Sequence, residues 1–333
     1  MPTLRAVLAV DGNSLGHRAY HSVQDAEPGD DRPLVTGALI SMLASAWVHG
    51  PYDAVLVGFD HPVNRRKELA PEYKANRPPT PPALTAALHA LRGHLHSCGF
   101  HVLEHEGAEA DDVLAATSDT CSRLGWRCDL LSSDRDLTAL VGPRVRLLRP
   151  RARFADLVVE DEARVRATYG VDPASYVELA ALRGDDSDGL RGAHGIGAKT
   201  AARLLREHGS VSALYDALSD LPPRIEASLR EARARVERNL LLMAPVPHLD
   251  VRVDELTGAI VDPDRVGDTL EPLGLGAAAR RFARALAAPP PPPSAPHPAH
   301  DAARTDGPHR DEPPRARALR AAAASEGEQG SLF

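Results

Sequence analysis

Three strand-like runs, each leading into an aspartate, constrain this chain most. Leu4 to Val10 runs into Asp11, Ala54 to Phe59 into Asp60, and Arg127 to Ser132 into Asp134. Short runs rich in Val, Leu and Ala read as strands buried on both faces. Helical patterns lie between them, over Thr36 to Val48 and Leu84 to Cys98, and another helix opens near Glu109 after a short strand, Phe100 to Leu103. Strands alternating with helices predict an α/β fold, a mostly parallel sheet flanked by helices. Functional groups then belong beyond the carboxyl ends of the strands, where all three aspartates fall.

The second half reads as helical. Asp172 and Pro173 suit the start of a helix reaching Arg183. Further helices are predicted over Ala201 to Glu207, 210–219, 222–242 and Ala277 to Ala287, with 246–254 a short strand or extended stretch. From about Ala288 the chain turns to PPPPPSAPHPAH and then to mixed Arg, Asp, Gly, Pro and Ala. Such a segment cannot bury a core, and 288–333 is expected to be disordered. Three cysteines, Cys98, Cys121 and Cys128, lack C-x-x-C spacing and read as reduced core thiols. No apolar stretch approaches the roughly 20 residues of a membrane span. A cytoplasmic protein is expected.

A lone aspartate after a strand is often only a cap or turn former. The set here is harder to explain that way. Glu109, Asp111 and Asp112 fall within one helical turn, and Glu109 and Asp112 share a face at i and i+3. Asp134 and Asp136 bracket a tight turn, and Asp185, Asp186 and Asp188 form a third cluster. Like charges this close cost stability unless a cation offsets them. Hard divalent ions such as Mg²⁺ take carboxylate oxygens, and two such ions suit phosphodiester hydrolysis. A solvated acidic surface remains the alternative for Asp112 and Asp186.

Directly after Asp60 comes a basic stretch with Arg65, Arg66, Lys67, Lys74 and Arg77. Such side chains bind phosphate backbones, and Tyr73 offers a ring for a base. A charged surface helix is the alternative. Gly195-Ile196-Gly197 suits a hairpin whose amides face outward, with Lys199 and Thr200 in the first turn of the next helix. That geometry can hold a phosphate. The Walker A spacing is not met, and a plain connector is the alternative. His94, His96, His101 and His105 fit surface and cap roles, with a transition-metal site as the other reading.

Five blocks, in order, carry a resemblance. They are DGNSLGHRAYH (11–21), FD-x5-RKELAPEYKANRPPTP (59–81), EGAEADDVLA (106–115), SSDRDLTAL (132–140) and GDDSDGLRGAHGIGAKTA (184–201). Together they resemble the bacterial and phage 5′→3′ exonuclease and flap endonuclease family, which includes the N-terminal nuclease domain of DNA polymerase I. The resemblance covers roughly residues 5–285. It implies a PIN-like nuclease fold over 1–172 with a helical arch at about 61–98. It also implies a helix–three-turn–helix DNA-binding element within a helical region, 173–287.

The resemblance further implies a first metal site at Asp11, Asp60, Glu109 and Asp111. A second falls on Asp112, Asp134, Asp136, Asp185 and Asp188. The ions would be two Mg²⁺, with Mn²⁺ as a substitute. Arg66, Lys74 and Arg77 fall at the base of the arch as catalytic groups, Lys74 orienting the scissile phosphate. Gly195, Gly197 and Lys199 fall on the duplex-binding element, where relatives hold K⁺. The implied partner is DNA with a 5′ end or flap at a duplex junction, bound by a monomer working at the nucleoid. Three positions depart from the pattern: Gly189, Arg191 and Ala193 stand where Asn, Pro and Val are usual.

The net charge of −7 runs against a nucleic-acid partner. The tail from 288 holds five arginines and six acidic residues, which leaves −6 on the rest. Nine site carboxylates more than account for that. Two rival readings share the core: a catalytically weak DNA-junction binder, and a related metal-dependent phosphatase or RNase.

Overall fold

The computed structural model describes residues 5–23, 31–151, 156–245, 249, 251–253 and 261–288. β1 (Ala6–Asp11) is buried along its whole length. Ala6, Leu8 and Val10 enter one core, Val7 and Ala9 the other. This is the period of two that a strand imposes on its side chains. β1 pairs in parallel with β2 (Ala54–Phe59) on one side and β4 (Arg127–Leu131) on the other. β3 (His101–Glu104) lies outside β2. β5 (Val145–Pro150) and β6 (Leu157–Glu160) lie beyond β4, and among the described residues of this sheet only the β5–β6 pair is antiparallel. Strand order reverses between β1 and β4. A crevice therefore opens at their carboxyl ends, beside Asp11.

Helices cover both faces. α1 (Gly12–Val23), α2 (Asp31–Trp47) and α4 (Pro82–Ser97) bury Leu15, Leu39, Leu43 and Leu91 against one face. Between β2 and α4 lies a short helix, α3 (Arg65–Leu69), capped by Asn64. α5 (Ala110–Leu124) packs Val113, Leu114 and Cys121 on the other face. α6 (Glu162–Tyr169) follows β6. A separate core joins α7 (Tyr176–Arg183), α8 (Ala198–His208), α9 (Val211–Asp216) and α10 (Pro223–Met243) through Leu179, Leu204, Leu214 and Leu229. Between α7 and α8, β7 (Gly184–Asp185) pairs antiparallel with β8 (Leu190–Arg191). Gly184 stands at φ 88°, and a Cβ there would lie 2.4 Å from the Gly192 nitrogen. The close backbone crossing fixes where Asp185 emerges.

The predicted strands and main helices are present, with these differences. The helix expected from Pro173 is broken: Pro173–Ser175 is a 3₁₀ turn and α7 starts at Tyr176. α1, β5, β6 and α6 were not anticipated. α4 is a core helix through Leu84, Leu88, Leu91 and Leu95, so an arch cannot extend to residue 98. α11 (Pro263–Leu270) and α12 (Gly276–Ala287) leave the helical region and return to the first core with Val266, Leu270 and Phe282. Phe282 meets Trp47 and Phe100 edge-on, at 5.8 and 5.7 Å. A boundary placing all of 173–287 in one helical region therefore fails at its end. The stretch 246–254 lies largely outside the described residues, as does the tail beyond Ala288. The three cysteines are buried and free. No described helix is long and apolar enough to cross a membrane.

Candidate active site

The crevice between β1 and β4 gathers carboxylates from five segments. Asp11 ends β1, where the Ser132 hydroxyl and the Ser14 amide donate to it at 2.6 and 2.9 Å. Asp60 follows β2. It exchanges hydrogen bonds with Asn13 and accepts from the Ala110 amide at 2.9 Å. Glu109 caps α5 and accepts from Asn64, Lys74 and the Tyr73 hydroxyl. Asp134 is set by a turn in which the Asp136 amide donates to its carboxylate at 2.9 Å. Asp185 accepts from Ser187, and Asp188 from Arg77 at 2.5 Å. Asp111 and Asp136 differ from the rest: neither carboxylate accepts a hydrogen bond from any described residue.

Burial and mutual repulsion raise most of these acids. Burial pushes Asp11 up to about 7, with Asp60 and Asp134 adding to it. Burial also lifts Asp136 to about 7, helped by Asp134, Asp185 and Asp188. Asp111 is held well above the usual range by burial and by Asp134, Asp11 and Glu109. Burial raises Asp60 and Asp188 as well. Glu109 goes the other way. Burial would raise it, but the Lys74 and Arg66 cations beside it prevail.

Among the described residues no three His, Cys, Asp or Glu side chains converge closely enough to grip a metal ion as they stand. The donor set nonetheless fits a hard cation. It is all oxygen, and Asp111 and Asp136 are buried carboxyls crowded by other acids, which the Lys74 cation offsets only in part. The four histidines do not join them; His94 meets Thr36, and His105 its neighbour's carbonyl.

A stability effect follows. Asp11 and Asp136 have folded values near 7, above those of free carboxylates. Their contribution is full below about pH 4 and is lost as pH rises through about 7. Metal-free protein is expected to lose about 1–3 kcal/mol between pH 5.5 and 8 through these groups. Asp136→Asn should flatten that slope. Denaturant midpoints in EDTA measure both, and a stability that climbs over this range would refute the assignment.

The basic segment sorts into two groups. Arg65 and Lys67 are exposed on α3, and Arg77 is about half exposed. Arg66 is buried, with its Nη1 3.4 Å from Glu109 Oε2 behind the crevice. Its guanidinium grips Asp112 through two bonds of 2.7 Å and donates to the Leu242 and Ala244 carbonyls. Asp112 also accepts from the Glu109 amide at 2.8 Å. The expectations of Arg66 as a phosphate ligand and Asp112 as a metal ligand do not fit this geometry, because each occupies the other. Tyr73 is 4% exposed, with its hydroxyl on Glu109 and the Lys74 ammonium over its ring. It has no free face for a base. Asn13, Asn64, Ser14 and Ser132 position the acids and were missed. The DGNS run, read for its aspartate alone, held two of them.

The hairpin has the expected form. Gly195, at φ 74°, and Gly197 are exposed on either side of buried Ile196. A Cβ on Gly197 would meet nothing within 4 Å. Its lack of a side chain is therefore not demanded by the fold and leaves room for an approaching ligand. Gly197 caps α8 without a side-chain acceptor, with exposed Lys199 and half-buried Thr200 in the first turn.

Comparison with known proteins gives concordant results. The family described as 5′-3′ exonuclease, N-terminal resolvase-like domain, matches residues 6–170. That described as 5′-3′ exonuclease, C-terminal SAM fold, matches residues 171–264. The thermostable DNA polymerase I of Thermus thermophilus is 35% identical over 302 residues, 88% of this chain and 35% of its own length. DNA polymerase I of Mycobacterium tuberculosis is 34% identical over 244 residues, 72% of this chain and 26% of its own. The chain thus spans about a third or less of these relatives. A solved structure of the bacteriophage T5 D15 flap endonuclease, a pseudo-enzyme-product complex with DNA and metal ions, has a TM-score of 0.60 at 24% identity. It covers 85% of this chain and 100% of that one, and shows a shared fold.

Proposed function

The chain belongs to the 5′-3′ exonuclease family, and from that premise we propose that it hydrolyses DNA phosphodiester bonds as a 5′→3′ exonuclease and flap endonuclease in replication or repair. One observation carries the reading. Eight carboxylates from five segments ring the crevice, and Asp111 and Asp136 among them are buried against like charges and accept no hydrogen bond from a described residue. Asp11, Asp60, Glu109 and Asp111 would hold one divalent ion. Asp134, Asp136, Asp185 and Asp188 would hold a second, Mg²⁺ or in its place Mn²⁺. When bound, the ions supply Lewis acidity at the scissile phosphodiester.

The chain's own groups do the rest. Lys74 and Arg77 orient the phosphate and oppose the charge that develops on it. Arg65 and Lys67 meet the backbone of the 5′ strand. Gly195, Gly197, Lys199 and Thr200 hold the duplex, and hairpin carbonyls there suit K⁺. The product carries a 5′ phosphate. The protein acts as a monomer at the nucleoid.

The test uses a 5′-labelled flap, a nicked duplex and a matched RNA, each with and without Mg²⁺. Cutting of both DNAs near the junction, only with Mg²⁺, is expected. Preference for RNA would favour the RNase reading. Tight binding of DNA without cleavage would favour the junction binder. A folded preparation that cuts none of the three refutes the nuclease.

A further inference from the structure

Lys74 and Arg77, assigned above to the scissile phosphate, are both already committed to carboxylates. The Lys74 ammonium lies 2.8 Å from Glu109 Oε1, with side chains 16% and 6% exposed. Arg77 Nη2 lies 2.5 Å from Asp188 Oδ1, and its Nε donates to the Ser187 carbonyl at 3.1 Å.

The backbone is bent to make these contacts. Lys74 is the only non-glycine residue at positive φ among those described, at 56°. Side chains with a Cβ avoid that region unless their surroundings hold them there. Here the Lys74 amide donates to the Asp188 carbonyl at 2.9 Å, and Asn76 Nδ2 to the Asp186 carbonyl at 2.8 Å. The turn of residues 71–77 is thereby latched to the segment that carries Asp185 and Asp188. Latching aims two cations at two of the carboxylates assigned to metal.

One ammonium cannot serve a carboxylate and a substrate phosphate at full strength, because each attraction falls with distance. Something must release it. Divalent ions on Glu109 and Asp188 would do so by taking over the neutralisation of those groups. We propose that Lys74 and Arg77 are exchangeable internal counter-cations, held by Glu109 and Asp188 in the metal-free protein and freed for the DNA phosphate when divalent ions take those carboxylates. The proposal rests on the metal reading of the crevice. It makes metal and DNA binding mutually reinforcing, by the same factor in both directions. It also predicts something that a purely phosphate-binding lysine does not: removing the charge tightens divalent binding in the absence of DNA.

The experiment is calorimetric titration of Ca²⁺ into the full chain without DNA. Wild type is compared with Lys74→Met, Arg77→Gln and, as a charge-matched control, Arg123→Met on the exposed last turn of α5. Lys74→Met is expected to bind Ca²⁺ about tenfold more tightly and Arg77→Gln about threefold, with Arg123→Met like wild type. Should Lys74→Met fail to fold, Arg77→Gln decides. Unchanged or weaker Ca²⁺ binding in the folded variants overturns the proposal, as does an equal gain in Arg123→Met. These outcomes leave the metal reading intact. A wild type that binds no Ca²⁺ overturns both.

Discussion

Asp111→Asn is expected to lower Mg²⁺-dependent cleavage by about a thousandfold or more, since a lost ligand removes several kcal/mol of transition-state stabilisation. The same substitution should make the metal-free protein more stable. Asp111 accepts no hydrogen bond from a described residue, and burial together with Asp134, Asp11 and Glu109 pushes it well above the usual carboxylate range. Asparagine keeps its shape and removes a buried carboxyl crowded by like charges that the Lys74 cation offsets only in part. The opposite signs separate this case from a folding defect, which would lower both quantities. Single-turnover cleavage at saturating Mg²⁺ and denaturant unfolding in EDTA supply the two readouts. Cleavage within tenfold of wild type would remove Asp111 from the ligand set.

The prospect that one acid stabilises when removed while its neighbour does not was invisible in the sequence. Asp111 and Asp112 are adjacent, and on a helix adjacent residues point about 100° apart. The sequence offers two identical letters. The structure turns one to the crevice and draws the other back to the Glu109 amide and Arg66. Two strand ends were legible because strands buried on both faces leave unbroken apolar runs, Ala6 to Val10 before Asp11 and Ala54 to Phe59 before Asp60. β5 was not legible for the converse reason. Its Arg146 and Arg149 interrupt the apolar run, yet they are paired with Asp129 and Glu160 on neighbouring strands. Partners distant in sequence convert what reads as a loop into a strand.

The return of α12 to the first core was hidden for a related reason. GAAARRFARALA has a clear apolar face, with Ala279 and Phe282 buried. An apolar face says that a helix packs, not against which surface. Tyr73 misled in another way. Between basic residues an aromatic ring reads as a stacking platform, but here its hydroxyl completes the shell of Glu109.

Arg66→Ala is expected to cost about 3–5 kcal/mol of stability, the usual penalty for stripping one partner from a buried ion pair. Arg66 is 6% exposed and Asp112 is 1% exposed. Their two bonds join α3 to α5, and the bonds to Leu242 and Ala244 join both to the end of α10. Alanine would leave Asp112 charged in a dry site and two carbonyls without their donor. A phosphate-binding role predicts a different result: unchanged stability, with DNA affinity lost in a salt-dependent way. Arg66→Met combined with Asp112→Leu should recover much of the loss, because a well-packed apolar pair often matches a buried ion pair. Activity in that double variant is the sharper readout. Asp112 holds the amide of Glu109, which in turn faces Lys74. A variant that is stable again yet slower than wild type would show that the pair positions Glu109 in addition to holding the fold. Melting of Arg66→Ala within about a degree of wild type would mean that Arg66 is not buried against Asp112 in solution, and would return it to the phosphate-binding set.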